Sequence, residues 1–289
     1  MKIAMCYSGA VRGLLNNLEH VKSVLFPDNQ HTVDYYLYAD KNGGTIHNKD
    51  IMNGKVEPQG LKVQKERPEF KCRLVNELDG FEERYSLFER LIEGYHMPYK
   101  EQVHQWYSVK KVFDFVFEKE EEEYDVYVRM RCDLFPAGIL EFDWSKFDTN
   151  TVYVPFNAPF GGINDRFAFG SKDAMRKYSN FYGSKIYYSA KNLPENVVHK
   201  GQQFYDENYG HIPTDNYGGG QHNSEFRLLN YLLDQGLNIQ VLPPEKLHIG
   251  SVRDSDGLIR YPGPDLEQML VEFNGLKLED LKYDRLWWR

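Results

Sequence analysis

Apolar and polar positions along this chain alternate with two different periods, and the switches between them mark its elements. Lys2 to Tyr7 is a short, nearly unbroken apolar run, the pattern of a parallel strand covered on both faces. From Leu14 to Leu25 the period lengthens: Leu14, Leu18, Val21 and Leu25 make one stripe, which predicts a helix ended by Pro27-Asp28. Thr32 to Tyr38 reads as a second strand, closed by Ala39-Asp40. Strand, helix, strand in that order predicts a parallel sheet with a right-handed crossover.

Further along, Lys41 to Gln59 is rich in Gly and Asn and reads as a loop, with a short strand expected at Leu61 to Val63. A helical region is expected from Glu82 to Glu122, broken near Met97-Pro98. Its second half carries a face of Val103, Trp106, Tyr107, Lys110, Val112, Phe113 and Val116, read as apolar. The Glu run after it reads as a solvated helix end. Tyr124 to Leu134 then alternates as a strand, with Val126, Val128 and Met130 between Tyr127 and Arg129, and stops at Phe135-Pro136. Thr151 to Val154 is a strand; Asn164 to Gly170 is a turn leading into another. Ser171 caps a helix from Lys172 to Phe181. Lys191 to Gly220 reads as a long irregular loop. A helix opens at Asn223-Ser224-Glu225 and ends at Gly236, and Leu237 to Leu242 is a strand. His248 to Arg253 reads as a late loop, and the tail from Leu266 to Arg289 as partly helical. The expectation is a single α/β domain over 1–289. Within it, the segments 1–135, 136–265 and a helical tail 266–289 are distinguished.

Composition narrows the classes. The net charge is −8, from 35 Lys+Arg and 43 Asp+Glu, with no basic cluster interleaved with aromatics, which argues against nucleic acid as a partner. The three cysteines, Cys6, Cys72 and Cys132, are far apart, so neither a disulfide framework nor a zinc site is expected, and a reducing compartment fits. No run approaches the roughly 20 apolar residues of a membrane span, and the first run is too short for a signal segment. A soluble, cytoplasmic protein is expected. The 21 Tyr and 18 Phe suit either sugar and nucleotide surfaces or an aromatic core. Classical dinucleotide and P-loop fingerprints are absent after the first strand, and nothing fixes an oligomeric state.

Candidate chemistry gathers in four segments expected beyond strand C-termini: Tyr7 to Gly13, Arg131 to Asp133, Ile163 to Arg166 and His248 to Arg253. Asp133 either holds a divalent cation or caps a turn paired with Arg131. His248 either completes the metal shell or is simply packed; an oxygen-rich site with one imidazole suits Mn²⁺ or Mg²⁺. Ser8, Gly9 and Arg12 lie where a donor diphosphate would sit, and Arg131 and Arg253 can neutralise one. Asp165 and Glu225 are the two candidates for the base that deprotonates an acceptor hydroxyl. Glu225 also sits in the first helical turn, where a purely structural Glu is common. Tyr217 and His222, beside Gly218-Gly219-Gly220, are candidate acceptor contacts.

The order of these segments resembles that of a group of glycosyltransferases found in bacteria, algae and large DNA viruses. Ser8-Gly9-Ala10-Val11-Arg12 matches its opening, and Tyr124-Asp125 through Arg129-Met130-Arg131-Cys132-Asp133 its central strand. Asn164-Asp165-Arg166-Phe167-Ala168-Phe169-Gly170 matches its middle turn, and Ser224-Glu225 with Leu228-Leu229 and Tyr231-Leu232 its late helix. The resemblance implies a GT-A-like fold: a Rossmann-type nucleotide-binding half with a mixed central sheet flanked by helices, merged with an acceptor half. It implies that 1–135 binds mainly nucleotide-sugar and that 136–265 is mainly the acceptor and catalytic half. It implies a nucleotide-sugar donor, usually uridine diphosphate linked, a glycan acceptor and a divalent metal. GT-A enzymes hold that metal on Asp-x-Asp; here the tripeptide is Arg131-Cys132-Asp133, without the first carboxylate. A single nameable base points to inversion by direct displacement. The alternative is a non-catalytic nucleotide-sugar or glycan-binding protein on the same fold.

Overall fold

The computed structural model describes residues 1–9, 11, 14–25, 31–41, 59–75, 99–118, 123–137, 142–156, 162–184, 195–209, 224–243, 246–253 and 258–260. Two sheets carry the architecture. The first strand β1 (Lys2–Ser8), helix α1 (Leu14–Leu25) and strand β2 (Thr32–Asp40) form the expected βαβ opening. Helix α2 (Gln59–Glu66) and strand β3 (Phe70–Val75) follow, then helix α3 (Tyr99–Phe117) and strand β4 (Val126–Arg131). After the short β5 (Leu134–Ala137) come β6 (Thr151–Pro155), β7 (Phe167–Gly170), helix α4 (Lys172–Ser179), helix α5 (Glu195–Tyr209) and helix α6 (Ser224–Asp234). Strands β8 (Asn238–Leu242), β9 (His248–Arg253) and β10 (Leu258–Arg260) end the described chain.

Seven strands form one mixed sheet in the order β3-β2-β1-β4-β7-β6-β8. β1 pairs in parallel with both β2 and β4, and β2 with β3; β7 is reversed against β4 and β6, while β6 and β8 are parallel. The α/β class, mixed central sheet and flanking helices are those expected. The sheet runs through both expected halves without a break, so residues on either side of 135 share one core.

Alternation along β4 sorts that core into two layers. Val126, Val128 and Met130 pack with Ile3, Met5 and α1 on one face; Tyr127 packs with Ala4, Tyr36 and α3 on the other. Tyr7, Tyr36, Tyr127, Tyr153 and Tyr178 are among the largest fully buried side chains, so much of the tyrosine excess is interior. Trp106 of α3 is fully buried, with ring centroids 5.4 Å from Tyr178 and 4.7 Å from Phe181.

Three expected elements differ. Leu61 to Val63 belongs to helix α2, not a strand: Val63 turns inward while Leu61 is exposed. The stretch expected to be irregular from Lys191 contains helix α5, which lies against α6; Gly201 faces the Asn230 side chain with no room for a Cβ. His248 to Arg253 is not a loop but the middle strand of a second sheet, β10-β9-β5. Pro136 interrupts nothing, because β5 is an edge strand of that sheet. Among the described residues no helix is long and apolar enough to cross a membrane.

Candidate functional site

The C-terminal ends of β1 and β4 lie side by side, with Ser8 in register with Arg131. Ser8 is buried, and its hydroxyl has no hydrogen-bond partner. The chain then leaves the sheet through Gly9 at φ +105°, a left-handed conformation that L side chains rarely adopt. A buried hydroxyl left without a partner is uncommon and calls for an explanation. Arg12 lies outside the described residues, as do Tyr217 and His222.

Arg131 and Asp133 pair directly. Arg131 Nε donates to Asp133 Oδ1 at 3.0 Å and Nη2 donates to Oδ2 at 2.6 Å, a two-point fork across the turn that ends β4. Asp133 is almost fully buried and Arg131 is about one-fifth exposed, at side-chain accessibilities of 4% and 22%. Of the two alternatives for Asp133, the geometry realises the paired carboxylate.

A divalent cation at Asp133 needs carboxylate oxygens released from Arg131 and a second protein ligand close by. The register does not supply His248. Leu134 pairs with Ser251 and Ala137 with His248, so His248 stands at the far end of β5, about 13 Å along the ladder from Asp133 at the usual strand rise. The backbone of Arg253 is the one that comes toward the Asp133 end. Among the described residues no group of three or more His, Cys, Asp or Glu is arranged to hold a metal. On this register the backbone of His248 is not a neighbour of Asp133.

Asp165 and Glu225, 60 residues apart in sequence, come together, and local turn chemistry explains how. The buried Asn164 folds its side chain back, and its Oδ1 accepts from the amides of Arg166 at 2.8 Å and Phe167 at 3.1 Å. The amide of Arg131 donates to the Arg166 carbonyl at 3.1 Å, fixing the turn to the end of β4. On the other side, the amide of Ile163 donates to the Glu225 carbonyl at 3.3 Å. Gly162 lies so close to the first turn of α6 that a Cβ there would collide with the Glu225 carbonyl and the Phe226 amide. These are backbone atoms and cannot swing away. Gly162→Ala is therefore expected to destabilise by about 2 kcal/mol or more, at the level of an overpacked core, read as a lower denaturation midpoint with unchanged slope.

Both carboxyl groups are buried, Asp165 at 6% and Glu225 at 9% exposure. Gln105 of α3 donates to Asp165 Oδ2 at 2.7 Å, and the Ser224 hydroxyl donates to Glu225 Oε2 at 3.0 Å. Burial first, and the negative charge of Asp165 second, push the Glu225 carboxyl up to about 8, against the pull of its backbone and Ser224 hydrogen bonds and of Arg166. Its surroundings therefore favour the protonated form of Glu225. The nearby thiol of Cys132 is pushed up to about 12, by burial and then by Asp133, which makes it an inert neighbour rather than a nucleophile.

Of the residues read from sequence, Ser8, Gly9, Arg131, Asp133, Asp165 and Glu225 are thus placed on described elements around the ends of β1 and β4. Gln105, Tyr178 and Arg129, which complete the surroundings of the carboxyl pair, were not anticipated. Arg129 alone had a visible signal: a charged residue at an inward position of a core strand. A groove along α5, lined by His199, Gln202, Gln203, Asp206 and Glu207, contains none of these residues.

No protein-family model matches the sequence, and no curated protein is similar to it. Among solved structures, the chain is similar to a galactosyltransferase, LgtC, determined in complex with donor and acceptor sugar analogues. The match has 10% identity, covers 83% of this chain and 73% of that one, and has a TM-score of 0.36. At that depth the likeness speaks to neither substrate nor mechanism.

Proposed function

We propose that the chain is a GT-A-like glycosyltransferase that moves a sugar from a nucleotide-sugar donor, with uridine diphosphate as the leaving group, to a glycan hydroxyl. The observation that carries this reading is the pair of buried carboxyls, Asp165 and Glu225, drawn to the C-terminal ends of two adjacent parallel strands. Those ends carry the partnerless Ser8 hydroxyl and the Arg131–Asp133 fork. In open α/β sheets that edge is where nucleotides bind. The four sequence segments that resemble one glycosyltransferase group supply the residues of this edge.

In this reading the donor diphosphate lies over the Ser8-Gly9 exit from β1, where the Ser8 hydroxyl finds its partner. Arg131, with Arg12 and Arg253 as further candidates, takes up the charge that develops as the sugar departs. Asp165 is the base. The surroundings of Glu225 favour its protonated form, whereas among the described residues Asp165 has Gln105 as its one side-chain hydrogen-bond partner. The acceptor hydroxyl attacks the anomeric carbon from the side opposite the diphosphate. Its proton passes to Asp165 while the bond from the anomeric carbon to the diphosphate oxygen breaks, and the linkage inverts. No step is assigned to a cation, because the Asp133 carboxylate is engaged by Arg131.

A thermal-shift screen of nucleotide sugars, each with and without Mn²⁺ and Mg²⁺, tests the donor half. A ligand that binds only the folded chain at about 100 times its Kd adds about 2.7 kcal/mol of stability. At least one donor is expected to raise Tm by several degrees, and Ser8→Val is expected to remove most of that rise. A panel in which no nucleotide sugar moves Tm would remove the donor site.

A further inference from the structure

We infer that Arg129 is a positioning residue of this site: its sealed guanidinium supplies the fixed positive charge that keeps one carboxyl of the Asp165–Glu225 pair ionised and leaves the single proton on the other. The inference rests on Asp165 as the proposed base and deepens that reading.

Arg129 sits in the middle of β4, in register with Cys6 of β1 and Ala168 of β7. These small neighbours on the same face leave room for a long side chain to run across the sheet toward α3, α4 and α6. It is 0% exposed, and among the described residues none of its three guanidinium nitrogens has a hydrogen-bond partner. An isolated charge in that position costs far more than a domain tolerates, so an opposite charge must offset it.

The titratable groups within electrostatic reach of Arg129 can be taken in turn. Tyr178 comes from α4, Arg131 from β4, Asp165 from the turn before β7, Cys132 from the turn after β4 and Cys6 from β1. Burial keeps Tyr178, Cys132 and Cys6 protonated and neutral. Arg131 has the same sign and is already held by Asp133. Glu225 faces Asp165, Tyr178 and Arg166. Asp165 is thus the one carboxylate among these described groups that compensates Arg129. Two buried carboxyls in mutual reach cannot both ionise, and a cation beside one of them decides which does. Because Arg129 makes no hydrogen bond, its effect acts through charge rather than shape.

The test follows carboxyl-carbon NMR signals of Asp165 and Glu225 against pH in the full chain, assigned through Asp165→Asn and Glu225→Gln. In Arg129→Met and Arg129→Gln the two carboxyl titrations are expected to lose their separation, since no neighbouring cation then decides which group ionises. Arg129→Lys should restore most of it, which a packing role would not. A second arm measures unfolding equilibria and covers the case in which the neutral variants do not fold. The double variant Arg129→Met/Asp165→Asn, which removes both charges, is expected to be at least about tenfold more stable in its equilibrium constant than either single variant. Unmoved midpoints, or a double variant no more stable than the worse single one, would overturn the inference. Moved midpoints with no transfer in the wild type would instead sink the glycosyltransferase reading and leave the charge role standing.

Discussion

Asp165→Asn is expected to lower sugar transfer about 10²–10⁴-fold, the contribution of a positioned general base, while the donor-induced rise in Tm persists. The substitution keeps the shape of the side chain and its contact with Gln105, whose amide donates at 2.7 Å in the wild type. It removes only the ability to take a proton. Because the variant also leaves Arg129 without its counter-charge, transfer should be compared at low temperature, where circular dichroism shows the variant still folded. A loss in kcat with an unchanged KM for donor marks an interaction made after donor binding. A variant with wild-type kcat would remove Asp165 from the proton transfer.

Glu225→Gln has a large expected effect of the opposite kind, on stability. The folded-state carboxyl sits at about 8, above its ordinary 4.5. The folded chain therefore binds a proton that the unfolded chain has lost, and stability falls as pH rises. The contribution of this group is fully present below about 4.5 and is lost as pH climbs through about 8. At full ionisation the loss is on the order of 3–5 kcal/mol, at 1.36 kcal/mol per unit. Gln carries no such charge, so the variant is expected to be the more stable protein at about pH 9 and close to wild type at about pH 5. Denaturation of both proteins across that range measures the difference directly. A difference that does not grow with pH would mean that Glu225 is ionised in the folded chain at neutral pH. The assignment of the base would then pass from Asp165 back to the pair.

The elements legible in the sequence are those whose pattern is local. The α1 stripe, the β4 alternation and the Ser171 cap, whose side chain accepts from the Ala174 amide at 3.2 Å, all follow from neighbours within a few residues. Misreadings arose where distant packing overrides a local cue. The segment from Lys191 to Gly220 reads as irregular, yet its Gly201 lets α5 approach Asn230 of α6. Gly250-Ser251 looks like a turn but is held extended between β5 and β10. Leu61-Lys62-Val63 alternates like a strand, yet lies in a helix with only Val63 inward.

The site was legible as a set of residues and not as an arrangement. Asp165 and Glu225 could be named from turn and helix-start positions. Their meeting depends on Gly162, whose bare backbone admits the first turn of α6. Asp133 can by spacing either hold a cation or pair with Arg131; the structure shows the pairing, as a two-point fork. The distance from Asp133 to His248 is set by strand register, which no sequence pattern in the late segment announces.

The most direct measurement is the release of nucleoside diphosphate from a panel of nucleotide sugars, in the presence and absence of glycan acceptors. Release should require both a donor and an acceptor, should yield a new glycosidic product of inverted configuration, and should fall with Asp165→Asn. If the donors that stabilise the folded chain are never consumed with any acceptor, the cleft binds nucleotide sugars without transferring them, and the enzyme reading fails.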